Sequence, residues 1–174
     1  MEKYSRIKAL ISLDAIRYNF EQMKKNIKEG TKIIAVIKAD AYGHGAVPIA
    51  RMLEEFDYIW GFAAATAQEA LQLRKAGITR PILILGLVFE EYYKKLAEND
   101  VRMAVCDYET ARKFNKAAEA AGKKGLIHLA ADTGMTRIGF KDREESLEEI
   151  RRIAALPNVE IEGLFTHFAR ADEY

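Results

Sequence analysis

Six apolar runs, each set apart from the next by a helical pattern, predict an α/β fold of parallel strands. The runs lie near Lys32 to Lys38, Tyr58 to Ala65, Pro81 to Leu87, Val101 to Cys106, Gly125 to Ala131 and Val159 to Phe165. Their starts are 20 to 34 residues apart, a spacing that fits strand-helix units rather than hairpins. Within each run apolar residues occupy successive positions, as parallel strands covered on both faces require. Units of this size point to a (β/α)8 barrel of the TIM type, apparently truncated, with about six of its eight βα units in the 174 residues. An open, doubly wound sheet is the alternative.

Taken in order, the elements carry their own signals. Leu13, Ile16, Phe20, Met23 and Ile27 alternate at spacings of three and four, which predicts an amphipathic helix packing inward ahead of the first strand. The first run ends on Lys38 and a turn with two glycines, and Ala46 to Glu55 reads as the next helix. After the second run, Thr66 and Glu69 form a capping box before Ala70, Leu71 and Leu73, and Gly77 stands where a left-handed residue would end that helix. Asp107 caps a further helix whose Ala111, Phe114 and Ala118 share one side, closed by Gly122. A six-unit slice of a barrel leaves bare sheet edges at Lys32 to Lys38 and Val159 to Phe165, so residues 1–174 are expected to be the N-terminal portion of a longer protein.

Composition narrows the function classes. Lysine and arginine number 27 against 26 acidic residues, which gives no electrostatic reason to expect nucleic acid or an anionic membrane as partner. Cys106 is the single cysteine, read as a core residue, so an internal disulfide framework is impossible. The N-terminus lacks the features of a signal peptide, and the longest apolar stretch, Pro81 to Phe89, is too short to cross a bilayer. A cytoplasmic protein is the expectation.

Lys38 carries the chemical signal. An unpaired ammonium at the end of an apolar run is costly to bury, and desolvation favours the neutral amine, a nucleophile for carbonyls. A strand-end lysine can also simply snorkel to water. Around it, Gly43 and Gly45 allow close backbone approach, Tyr42 offers a phenolic donor, and the helix starting at Ala46 has an N-terminus suited to a phosphate. An amine beside a phosphate site suggests pyridoxal phosphate. Rival motifs fail: Pro48 stands where a dinucleotide fingerprint needs its third glycine, and Lys38 precedes the glycines rather than following them as in a P-loop. Asp40 and His44 flank the motif, and His128 lies inside a strand and reads as core. No histidine or cysteine has metal-ligand spacing, so no metal is expected, and no G-x-S-x-G elbow supports a serine triad.

The stretch A-V-I-K-A-D-A-Y-G-H-G, Ala35 to Gly45, resembles the cofactor-lysine motif of bacterial alanine racemases. I-S-L-D-A-I-R-Y-N-F (Ile11 to Phe20), D-T-G-M-T-R-I-G-F (Asp132 to Phe140) and G-L-F-T-H-F-A-R-A-D-E (Gly163 to Glu173) are similar to the same family, in the same order. The resemblance implies a pyridoxal-phosphate isomerase that interconverts L- and D-alanine for peptidoglycan. It assigns Lys38 as the residue that forms a Schiff base with the cofactor and acts as acid and base on one face of the substrate α-carbon. Tyr42 is implied to hydrogen-bond the cofactor phosphate, Arg137 to face the substrate carboxylate, and His167 to orient an arginine beyond Tyr174 that contacts the cofactor ring. It further implies a homodimer whose partner subunit supplies the second base, a tyrosine, from a C-terminal β-domain that this chain lacks. The isolated portion is therefore expected to be inactive or weakly active.

Barrel topology supports the same grouping, since active sites lie at the carboxyl ends of the strands. Lys38 closes the first run, Arg137 follows the fifth and His167 the sixth. Two departures bear on Arg137. Ala130 stands where many members have a lysine two residues before the Asp of D-T-G-M, and Thr136 replaces a common glycine. A racemase of another amino acid, such as serine, and a non-catalytic carrier of the cofactor are the other readings.

Overall fold

The computed structural model describes residues 7–173. Six strands, β1 (Ile33–Val36), β2 (Ile59–Ala64), β3 (Ile82–Ile84), β4 (Val101–Val105), β5 (Gly125–Ala131) and β6 (Val159–Thr166), form one sheet among the described residues. Every neighbouring pair is parallel and the order in the sheet is the order in the chain. α1 (Leu13–Lys25) precedes them, and between them run α2 (Lys38–Gly43), α3 (Ala46–Leu53), α4 (Ala67–Lys75), α5 (Tyr93–Glu98), α6 (Tyr108–Ala121) and α7 (Glu144–Ala154). All six strands lie within, or overlap by all but one residue, the apolar runs read from the sequence.

The sheet is curled. Trp60 on β2 and His128 on β5 are separated by two intervening strands, yet their rings lie 5.6 Å apart. Such a contact is possible only across a concave face. Arg102 on β4 reaches Glu162 on β6 through two bonds, Nε to Oε2 at 2.9 Å and Nη2 to Oε1 at 2.8 Å, and His128 Nε2 meets the same carboxylate at 3.0 Å. This arrangement is that of a (β/α)8 barrel lacking its closing units.

Strand residues divide between two environments. Ala35, Phe62, Ile82, Ile84, Met103, Val105, Ile127 and Leu129 belong to the core beneath the helices. Phe62 and Phe114 are the largest side chains that are fully buried, each contributing ~1.5–3 kcal/mol relative to exposure. On the concave side, Ile34, Val36 and Leu164 are 37%, 41% and 67% exposed, as befits strands β1 and β6 at the sheet edges.

The caps read from sequence form as expected. Thr66 Oγ1 accepts from the Glu69 amide at 3.3 Å while Glu69 returns a bond to the Thr66 amide at 3.2 Å. Asp107 Oδ1 accepts from Thr110 N at 2.7 Å, Gly122 closes α6 with φ 63°, and Gly77 has φ 86°.

Three expectations need correction. α1 packs inward only through Ile16 and Phe20; Leu13 and Met23 are 37% and 43% exposed, because the helix leans mainly on α3 rather than on the sheet. Cys106 is half-buried rather than core, since β4 ends one residue before it; burial, with the adjacent Asp107 carboxylate, still pushes its thiol up. Lys38 does not close β1. The strand ends at Val36, Ile37 N makes a last bond to Ala63 O at 2.9 Å, and Lys38 opens α2 instead.

Candidate active site

A cavity of about 240 Å3 opens at the carboxyl ends of the strands. Its walls come from Val36 on β1, Leu83 and Leu85 at β3, Ala130 and Ala131 at the end of β5 and Phe165 on β6. Arg137 and His167 both line it. Mostly apolar walls with a few convergent polar groups are the usual make-up of a small-molecule site.

α2 begins two residues after the wall residue Val36 and has the wrong hand for an ordinary helix. Ala39, Asp40, Ala41 and Tyr42 all have φ between 50° and 56°, a left-handed turn that costs on the order of 1–2 kcal/mol per residue. Its bonds explain its persistence. Asp40 Oδ1 accepts from Ala46 N at 2.7 Å, Asp40 O accepts from Gly45 N at 2.9 Å, and Ala41 N donates to Ile37 O at 3.0 Å. His44 Nδ1 lies 2.9 Å from Ala41 O; a carbonyl only accepts, so Nδ1 carries the proton. From outside the turn, Glu69 Oε1 accepts from Ala39 N at 2.8 Å.

These bonds settle two points raised by the sequence. Asp40 and His44 are committed to shaping the turn. The N-terminus of α3 is not an open anion site either, because the Asp40 carboxylate already holds Ala46 N there and a second anion would be repelled.

Lys38 is half-buried and makes no ion pair among the described residues. Its Nζ lies 6.0 Å from the centre of the Tyr42 ring, and Tyr42 is 60% exposed. Val36, two residues earlier, is a cavity wall.

Arg137 rides on a loop clasped at its base. Phe140 N donates to Ala130 O at 2.8 Å and Asp132 N to Phe140 O at 2.9 Å. Inside the loop, Asp132 Oδ1 accepts from Thr136 N at 2.8 Å and Gly134 N at 3.1 Å, and these two bonds hold the Asp132 carboxyl below its ordinary range. Thr166 Oγ1 donates to Ala131 O at 2.9 Å, so its proton is spent and Thr133 must donate across the 2.6 Å contact between the two hydroxyls. The loop after β5 is thereby tied to the end of β6, next to His167. Ala130 is buried against the cavity and offers Arg137 no side-chain partner; Arg137 itself is exposed, with no ion pair among the described residues.

Arg137 and His167 thus share one cavity; Lys38 and Tyr42 are not among its lining residues, Lys38 following the wall residue Val36 by two positions. The sequence showed the capping box but not that its glutamate also grips the Lys38 turn. A left-handed run through A-D-A-Y had no local signal except Asp40, a residue type that tolerates this region better than most.

Comparison with known proteins adds the lineage. A family model described as alanine racemase, N-terminal domain, matches residues 11–174. The alanine racemase of Methanococcus maripaludis is 43% identical over 164 residues, covering 94% of this chain and 44% of that protein. Among solved structures, alanine racemase of Clostridium difficile 630 in complex with cycloserine superposes with a TM-score of 0.91 at 45% identity, over 94% of this chain and 44% of that one. Histidine racemase of Leuconostoc mesenteroides subsp. sake superposes with a TM-score of 0.81 at 32% identity, over 91% of this chain and 42% of that one. The chain therefore spans less than half the length of these relatives. With the family match running from residue 11 to residue 174, a span that holds all six strands, this chain belongs to the alanine racemase family as its N-terminal domain.

Proposed function

We propose that this chain is the lysine-bearing part of a pyridoxal-phosphate amino-acid racemase that acts on alanine. The observation that carries the reading is Lys38, free of any ion pair among the described residues, two positions past Val36, a wall of the cavity that Arg137 lines. The residues fit the cofactor chemically: an amine for its aldehyde, the exposed Tyr42 phenol as a donor to its phosphate, and the flat apolar walls of Val36, Leu83 and Leu85 for its ring. When bound, pyridoxal phosphate acts as an electron sink that acidifies the substrate α-proton.

Lys38 Nζ holds the cofactor and then receives or returns a proton at one face of the α-carbon. Arg137, with its planar fork of donors, binds the substrate carboxylate and fixes which face is presented. His167, beside Thr166 and Phe165 in the cavity lining, orients an arginine from beyond residue 174 that contacts the cofactor ring. Racemisation needs a second proton carrier on the opposite face, and that group comes from outside this chain, from the partner subunit of a homodimer.

The test is exchange of the α-proton of alanine with solvent deuterium by the protein carrying this chain, read by mass spectrometry beside serine and histidine. Exchange with inversion on alanine is expected, together with borohydride labelling at Lys38. Labelling without exchange on any amino acid overturns the racemase reading in favour of a cofactor carrier. Labelling elsewhere overturns the assignment of Lys38.

A further inference from the structure

We propose that Glu69 is a positioning residue for Lys38, which it aligns by gripping the peptide that follows it. This deepens the cofactor reading above and rests on it. The Glu69 carboxylate is shared between two elements. Oε2 accepts from Ala65 N at 2.8 Å and Thr66 N at 3.2 Å, where β2 passes into α4. Oε1 reaches across to Ala39 N at 2.8 Å.

The Ala39 amide belongs to the peptide unit that begins at the Lys38 carbonyl. Fixing that N–H fixes the plane of the peptide and with it the backbone torsion of Lys38, hence the direction in which its side chain leaves the chain. Among the described residues it is the one hydrogen bond that reaches residues 38–45 from outside residues 37–49. Residues 39–42 are held in a sparsely populated backbone region, which persists only where the surroundings over-determine it. Glu69 therefore transmits the position of the β2 end to the lysine that follows the neighbouring strand.

The chemistry requires a carboxylate. Three N–H groups converge on two oxygens, and an amide replaces one acceptor with a donor. Thr66 supplies the control: Thr66→Ala removes its half of the same cap, the bond to Glu69 N, and leaves the carboxylate's three bonds in place.

The experiment compares Glu69→Gln, Glu69→Ala and Thr66→Ala in the protein carrying this chain, with Lys38→Ala beside them. Two readouts are taken: amide hydrogen exchange at Ala39 without cofactor, and affinity for pyridoxal phosphate from its absorbance band. Both Glu69 variants are expected to speed Ala39 exchange at least tenfold and to weaken the cofactor about tenfold. Thr66→Ala should lower the melting temperature comparably and move neither readout. Unchanged Ala39 exchange in Glu69→Ala, or an equal loss of cofactor affinity in Thr66→Ala, overturns the proposal. If Lys38→Ala keeps the same cofactor band, the cofactor reading falls, while Ala39 exchange still decides whether Glu69 holds the turn.

Discussion

Asp132 holds the amide of Thr136 at 2.8 Å while Thr136 sits at φ 53°, so one carboxylate fastens the β-branched residue that precedes Arg137 by a single position in a backbone region that suits glycine. The strain is local. Its cost, on the order of 1–2 kcal/mol for an L-residue, exceeds the ~0.5–1 kcal/mol that glycine loses through its greater freedom when unfolded. Thr136→Gly is expected to stabilise the protein by about 0.5–1 kcal/mol, seen as a rise in melting temperature. A fall would show that the Thr136 side chain contributes packing that outweighs the torsion.

Gly139 is the opposite case. It has φ 123°, and a Cβ there would lie 2.6 Å from Asp132 N and 2.8 Å from Ala131 C, both backbone atoms that cannot step aside. Gly139→Ala is expected to open the clasp at the base of the Arg137 loop. Stability should fall by about 2 kcal/mol or more, with KM for alanine rising more than kcat falls. Steady-state kinetics and thermal denaturation check the two parts.

Arg80 closes the far end of the barrel from the cavity. Its guanidinium donates to Glu54 O at 2.9 Å and Phe56 O at 2.8 Å, and also to Ile59 O, while Glu54 Oε1 returns to Arg80 N at 3.0 Å and Thr79 N at 2.7 Å. Burial acts to raise the Glu54 carboxyl, but the Arg80 and Thr79 bonds and the Arg80 charge leave it below its ordinary range. Arg80→Lys cannot reproduce a planar fork over several carbonyls, and a loss of about 2–3 kcal/mol is expected in urea unfolding.

Glu162 sets an acid limit on stability. The Arg102 hydrogen bonds hold its carboxyl below the ordinary value of ~4.3, against burial and with help from His128. A carboxylate with a depressed native value stabilises the fold fully above its unfolded value, and that stabilisation is lost as pH falls through the native one. Melting temperature should therefore be flat above about pH 5 on account of this group and decline below ~4.3. Glu162→Gln should flatten part of that decline and cost about 1–2 kcal/mol at neutral pH, where Arg102 loses its charged partner.

The strands and caps were legible because their signals are local. Apolar runs of the right length, Thr66 with Glu69, and Asp107 with Gly122 each state their role within a few residues. Arg137 and His167 were legible as a pair because parallel topology delivers strand ends to one mouth. The left-handed turn was not, because it depends on a carboxylate thirty positions downstream. Nor was the exposure of Leu13 and Met23 on α1, since an amphipathic pattern states which face is apolar but not how much of it a neighbour covers. Nothing local in the sequence singles out Arg102 and Glu162, and only curling of the sheet brings them to His128.

That inward cluster leaves the domain with an optical gauge. Trp60, the only tryptophan of the chain, has the His128 ring 5.6 Å away and the Arg102 guanidinium 5.7 Å from its own ring. Indole emission from this chain thus reports on the floor of the cylinder, whereas any colour arising at Lys38 reports on its mouth, so loosening at either end can be followed separately in one cuvette.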